Sequence, residues 1–159
     1  HEIITSTLQL YGAVLQQGEL RVERSLAPGL PRVRVDAEQI RQVIINLVDN
    51  AVEVLGGPAA GRRPNGAPPI IVVSTSHDAR NGVVRLVVTD NGPGGPAAER
   101  DKMVRPYYST KGRGSGLGLA IVRSIAEALS IKVAIGNRQG RPGLAARLVF
   151  PKTSSAEPS

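Results

Sequence analysis

The chain contains no cysteine, which excludes disulfides and every metal site built on thiolates and leaves the redox compartment open. Tryptophan is also absent, and aromatic residues make up only 3% of the sequence. The core must therefore rest on Val, Ile, Leu and Ala. Few rings are left for stacking nucleic-acid bases. No apolar run is long enough to cross a bilayer, and the first residues carry no signal-peptide pattern. Acidic residues are the minority charge, 13 against 20 basic ones, for a net charge of +7. Such a balance suits nucleic acid, an acidic surface or a polyanionic small molecule. The basic residues are spread along the chain, so no nucleic-acid partner is expected. A hydrophobic fraction of 41% in 159 residues fits one globular domain with a core of moderate size.

The hydrophobic pattern then divides the chain. Ile3, Ile4, Leu8, Tyr11 and Leu15 predict an amphipathic helix from His1 to about Gln17, stopped by Gly18. Leu20, Val22 and Leu26 predict a half-buried strand, and Val33 and Val35 a second short alternation after the Pro28–Pro31 turn. Asp36, with Gln39 three residues on, has capping-box spacing for a helix over 37–55. Ile40, Val43, Ile44, Leu47, Val48, Ala51, Val54 and Leu55 share one broad face of that helix. Gln39, Gln42, Asn46, Asp49, Asn50 and Glu53 form a separate stripe of amides and carboxylates. A plain surface helix would mix Lys and Arg into such a stripe. This one is aimed at a polar ligand.

A Gly- and Pro-rich loop follows over 56–69 and is expected to be mobile. Strands are predicted over 70–76 and 83–89, joined by the hairpin signal Asn81-Gly82, and the second ends in Asp90-Asn91-Gly92-Pro93-Gly94. Residues 96–111 are polar and basic without a period. A helix is expected after the glycine stretch, then strands over 131–136 and 144–150, and a disordered tail over 152–159. Helices should thus cover one face of a mixed sheet, in a single domain over 1–151.

The stretch Gly112-Arg113-Gly114-Ser115-Gly116-Leu117-Gly118 alternates glycine and then opens directly into an apolar helical pattern. Alternating glycine is costly inside a helix or strand, but it lets a backbone come very close to a ligand. N–H groups ahead of a helix N-terminus attract anions, so phosphate is the natural ligand; a purely structural loop is the other reading. The stretch lacks the Gly-Lys-Ser/Thr ending of a P-loop and the G-x-G-x-x-G of a dinucleotide fold.

Taken together, these segments resemble the Bergerat-type ATP-binding fold shared by sensor histidine kinases, DNA gyrase, certain chaperones and mismatch-repair ATPases. The catalytic domain of bacterial sensor histidine kinases is the nearest pattern. Gln42-Val43-Ile44-Ile45-Asn46-Leu47-Val48-Asp49-Asn50-Ala51 is similar to that family's N box, and Asp90-Asn91-Gly92-Pro93-Gly94 to its first glycine box. Arg105-Pro106-Tyr107-Tyr108-Ser109-Thr110-Lys111 resembles its F box with Tyr for Phe, and Gly114 to Leu119 its second glycine box. The order and approximate spacing agree from about Ile3 to Pro151, and the Pro-Tyr-Tyr-Ser-Thr-Lys run is most similar to nitrogen-regulation-type kinases.

The resemblance implies an α+β fold, a two-layer α/β sandwich with helices on one face of a mixed, mainly antiparallel sheet. It implies ATP and Mg²⁺ as cofactors. Asp90 would accept a hydrogen bond from the adenine amino group, as a strand-end carboxylate can. Asn50 would bind Mg²⁺ through its amide oxygen, with Asn46 one turn earlier in support. Gly92 and Gly94 would admit the nucleotide to the backbone. Gly114, Ser115, Gly116, Leu117 and Gly118 would line the phosphates, with Lys111 and Arg113 neutralising charge. Asn46, Asn50 and Lys111 would serve catalysis.

Three departures from the family pattern carry meaning. Glu53 stands where many relatives carry a basic residue, and Ser130-Ile131 replaces the paired glycines that commonly end the following helix. Asn46 stands where hydrolytic relatives carry a water-activating Glu, which favours phosphoryl transfer over simple hydrolysis. His1-Glu2 lacks the Asn-Pro pattern of a phosphoacceptor site, and His77 lies away from the motifs. The implied phosphoacceptor is therefore a histidine on a separate dimerisation domain of a longer kinase, with a response regulator downstream. The fragment is expected to be monomeric within a homodimeric, cytoplasmic or membrane-tethered parent. A nucleotide-binding docking module, an anti-sigma-type serine kinase and a hydrolytic ATPase of the same superfamily are the alternatives.

Overall fold

The computed structural model describes residues 1–11, 20–55, 66–92, 118–138 and 143–151. Its elements are α1 (Glu2–Leu8), a 3₁₀ turn (Gln9–Tyr11), β1 (Arg21–Ser25), α2 (Ala37–Leu55), β2 (Ile70–Asp78), β3 (Val83–Asp90), α3 (Gly118–Leu129), β4 (Lys132–Asn137) and β5 (Leu144–Pro151). The strands form one mixed sheet in the order β1-β2-β3-β5-β4. β1 and β2 run parallel, and the other neighbours are antiparallel. The α+β sandwich expected from the sequence is the fold observed.

Parallel neighbours cannot be joined by a tight turn and need a crossover. Here that crossover contains α2, which is why the Asn-bearing helix lies over the sheet. Asp36 starts it by accepting from the Glu38 and Gln39 amides at 2.9 and 3.1 Å, so the predicted N-cap is in place. All eight apolar residues assigned to the inner face of α2 are buried. All of them but Val54 join Ile71 and Val73 of β2, Val84, Leu86 and Val88 of β3, and Leu148 and Phe150 of β5 in one core. α1 and α3 pack against α2.

The sheet alternates as a one-sided layer should: β3 reads half-buried, buried in turn along its whole length. At the β2–β3 hairpin, Asn81 donates to Asp78 through its backbone and side chain, and Arg85 adds an ion pair. These contacts, the Asn81 side chain foremost, hold the Asp78 carboxyl down at about 2.

Two expectations need correction. The segment around Val33 and Val35 is no strand. Its valines are partly buried against the core without a hydrogen-bonded neighbour strand, and Pro31 has no N–H to donate to a ladder. The first helix tightens into a 3₁₀ turn after Leu8, which carries Tyr11 onto α2. Residues 12–17 of that prediction, most of the 56–69 loop and the 152–159 tail lie outside the described residues.

The missing glycine pair after α3 is replaced by a left-handed serine. Ser130 sits at φ 56°, its N–H donates to Glu127 O at 3.2 Å, and the Ile131 N–H donates to Ala126 O at 2.9 Å. This is the paired 5→2 and 6→1 closure that normally uses glycine. A side chain in that conformation costs on the order of 1 kcal/mol, so Ser130→Gly should raise stability by about that amount. Chemical denaturation of the two proteins measures it; an unchanged midpoint would show that the serine is not strained.

Candidate functional site

The topology gathers the ends of several strands at one edge of the sheet. Because β2 and β5 both run antiparallel to β3, the starts of β2 and β5 lie beside the end of β3. Asp90 is the last residue of β3 and is only 4% exposed, an unusual place for a carboxylate. It is held from two sides. The Gly92 N–H donates to Asp90 Oδ1 at 2.8 Å, and the Leu144 N–H at the start of β5 donates to the same oxygen at 3.4 Å. Two backbone donors on one oxygen fix the orientation of the carboxylate.

Gly92 has a steric reason to be glycine. A Cβ there would come within 3.1 Å of Asp90 Oδ1 and 3.1 Å of Val54 Cγ1. That second contact also shows where the turn lies: against the last turn of α2, one helical turn beyond Asn50. Asn91, between them, serves the backbone. Its Nδ2 donates to Pro68 O at 2.8 Å, and its Oδ1 accepts from the Ile70 N–H at 2.9 Å, pinning the entry to β2.

On α2, Asn46 and Asn50 are half-buried and four residues apart, so they share a face. Asn46 Nδ2 donates to Gln42 O at 2.9 Å, and this anchors the amide on the helix. Neutral amide oxygens are hard donors of the kind Mg²⁺ takes when phosphates and waters supply its remaining ligands. No group of three or more His, Asp or Glu is placed to hold a metal among the described residues. Two amide oxygens on one helix face fit an ion whose remaining ligands come from phosphate and water.

The helix stripe also has a buttress that the sequence did not suggest. Tyr11 donates its hydroxyl to Asp49 Oδ1 at 2.7 Å and approaches Ile45 O at 3.4 Å, the residues just before Asn50 and Asn46. Half-burial, and then the neighbouring Asp49 carboxylate, push the phenol well above its usual range, so Tyr11 remains a donor at any working pH. Tyr11 entered the sequence reading only as an apolar position on its helix. Arg138 and Gly143, which also touch Asp90, carried no local signal beyond lying in a Gly/Pro/Arg turn.

Of the residues assigned to the site, Asn46 and Asn50 share a face of α2, and Asp90 and Gly92 belong to the turn that packs on the last turn of that helix. Gly118 is the first residue of α3, the helix packed on α2. Gly94, Lys111, Arg113, Gly114, Ser115, Gly116 and Leu117 lie outside the described residues. His1 lies away from this edge, with Nε2 2.9 Å from Thr75 Oγ1 in the middle of β2.

The model of the histidine kinase-, DNA gyrase B-, and HSP90-like ATPase family matches residues 35–154. Sensor histidine kinase ZraS of Escherichia coli (strain K12) is 28% identical over 139 residues, covering 87% of this chain and 27% of ZraS. Sensory histidine kinase/phosphatase NtrB of Vibrio alginolyticus is 31% identical over 146 residues, covering 88% of this chain and 40% of NtrB. The chain therefore spans less than half the length of these relatives. Among solved structures, the nucleotide-free catalytic domain of histidine kinase ThkA superposes with a TM-score of 0.78 at 28% identity, covering 96% of this chain and 91% of that domain.

Proposed function

The chain belongs to the histidine kinase-, DNA gyrase B-, and HSP90-like ATPase family, as an ATPase domain of the histidine kinase type, and from this we propose that it binds Mg·ATP at the β3–α2 edge and hands the γ-phosphate to a histidine on another domain. The observation that carries the reading is Asp90: a buried, backbone-anchored carboxylate whose turn packs on the helix bearing Asn46 and Asn50. A fixed carboxylate selects a base with an exocyclic amine. Asn50 would hold Mg²⁺ through its amide oxygen, with Asn46 supporting the phosphate or its water. Bound Mg²⁺ would neutralise charge on the transferring phosphoryl group.

Asn46 cannot accept a proton from water, and it stands where hydrolytic relatives would carry a Glu for that purpose. That supports transfer to an external nucleophile rather than rapid turnover of ATP by the domain alone. Lys111 and Arg113 are proposed to neutralise charge on the phosphates and the N–H groups of 114–118 to bind them, ahead of the helix that begins at Gly118. The acceptor histidine is proposed to lie on a dimerisation domain of the parent kinase, which would pass the phosphoryl group to a response regulator.

Asn50→Ala tests the metal assignment. The variant should keep its fold and lose most of the Mg²⁺-dependent gain in ATP affinity. Phosphohistidine formation on an added dimerisation domain should fall by about 100-fold or more, the scale of losing one electrostatic contact to a transferring group. Nucleotide calorimetry with and without Mg²⁺, followed by an acid-lability assay of the phosphorylated partner, gives both readouts. Equal Mg²⁺ dependence in variant and wild type would overturn the role of Asn50. Fast ATP hydrolysis by the chain alone would overturn transfer in favour of a hydrolase.

A further inference from the structure

We propose that Arg138, in the turn between β4 and β5, is a positioning residue for base recognition: it sets the direction in which Asp90 presents its carboxylate and so contributes to selectivity for adenine. The inference rests on Asp90 being the adenine acceptor, as proposed above.

The β3–β5 ladder ends one residue short of Asp90, at the pair Thr89↔Ala145. Beyond that pair Gly143 crosses so close to the Asp90 carbonyl that a Cβ on it would lie 1.8 Å from the oxygen. The carbonyl instead accepts a bond from the Arg138 guanidinium, with Nη1 donating at 3.2 Å. Arg138 and Gly143 are themselves tied together, the Arg138 N–H donating to Gly143 O at 2.9 Å. The next residue, Leu144, donates to the Asp90 carboxylate. One short turn therefore grips Asp90 twice, by its main-chain carbonyl and by its side chain.

The two grips act on different degrees of freedom. The carbonyl bond fixes the peptide plane after Asp90, and that plane sets where the Cα–Cβ bond points. The Leu144 and Gly92 donors then fix the rotation of the carboxylate. An arginine on a turn would ordinarily extend its head into water. Arg138 is half-buried and folded back onto a carbonyl, at a cost in side-chain freedom. The planar fork delivers a donor in a set direction, which the single ammonium of lysine does less well.

The consequence is specific to the base edge. A tilt of the Asp90 carboxylate spoils the angle of a hydrogen bond from the adenine 6-amino group and leaves phosphate contacts untouched. Inosine triphosphate has an acceptor oxygen in place of that amino group, so the ratio of ATP to ITP affinity reports on the contact between Asp90 and the base edge.

The test is calorimetric titration of the 159-residue chain with ATP and with ITP, in the wild type, Arg138→Ala, Arg138→Lys and Asp90→Asn, alongside thermal melting of each. Arg138→Ala should weaken ATP about tenfold, one hydrogen bond's worth, and leave ITP nearly unchanged. Arg138→Lys should restore part of the ratio. Should Arg138→Ala fail to fold, Arg138→Gln keeps the bulk and a donor for the same comparison. An unchanged ATP/ITP ratio in every folded Arg138 variant, with a collapsed ratio in Asp90→Asn, overturns the role of Arg138. Equal weakening of both nucleotides also overturns it, because that is the mark of a merely structural residue. If Asp90→Asn leaves the ratio intact, the adenine assignment itself falls, and the role of Arg138 with it.

Discussion

Asp90→Asn should weaken ATP binding by about 10- to 100-fold with the fold intact, the worth of a hydrogen bond to a charged group. The amide oxygen can still accept from Gly92 and Leu144, so the local turn has what it needs. What the variant loses is a carboxylate facing the base. An amide oriented by those two backbone donors presents an N–H₂ where the adenine amino group also brings donors, and the two repel. The measurement is ATP titration by calorimetry, with melting to verify folding. If the folded variant binds ATP as well as the wild type, the base does not sit against β3. A large loss of stability without a change in affinity would instead make Asp90 a structural residue of the sheet edge.

Gly143→Ala should be among the most damaging single substitutions in the chain. Its φ is 116°, in the region where L side chains are strained, and the added Cβ would lie 1.8 Å from Asp90 O and 2.8 Å from Asp90 C. Those neighbours are backbone atoms of a core strand and cannot swing aside as a flexible side chain would. Relief requires the β4–β5 turn to lift off β3, which breaks the Leu144 and Arg138 bonds to Asp90. Backbone strain of this kind and the lost contacts together cost about 3 kcal/mol or more. For a domain of this size that lowers Tm by on the order of 10 °C. Because the same bonds orient Asp90, ATP affinity should fall in whatever fraction folds. Scanning calorimetry with and without ATP measures both effects. A Tm within a degree or two of wild type would mean that the turn is free to move away from Asp90.

Glycine 143 also shows why part of the site was not legible. In sequence it is one more glycine in a turn, and nothing nearby says that its backbone touches a residue more than fifty positions earlier. Arg138 is likewise an ordinary basic turn residue until the sheet order places β5 beside β3. Tyr11 fits its helical pattern as an apolar residue, and its hydroxyl acquires a role only when the 3₁₀ turn delivers it to Asp49. Each of these contacts is long-range, and long-range contacts leave no periodicity behind.

The opposite holds for α2 and for the hairpin. The eight buried residues of α2 follow from the 3.6-residue period alone, and Asp36 caps the helix through atoms two and three residues away. Asn81-Gly82 makes its turn by local backbone preference and local side-chain bonds. The valine pair at 33 and 35 is the counter-example, since alternation marks a chain that can be extended but not one that finds a partner strand.

By itself, then, the sequence determined α2, the β2–β3 hairpin and the one-sided core, and it singled out Asn46, Asn50, Asp90 and Gly92 as candidates, because periodicity, capping and turn chemistry act over a few residues. Only the tertiary structure decided that β1 pairs parallel with β2, that β5 inserts between β3 and β4, and that the β4–β5 turn closes on Asp90. Strand order is settled by which faces bury best against α2 and α3, a sum over the whole core that no local window contains.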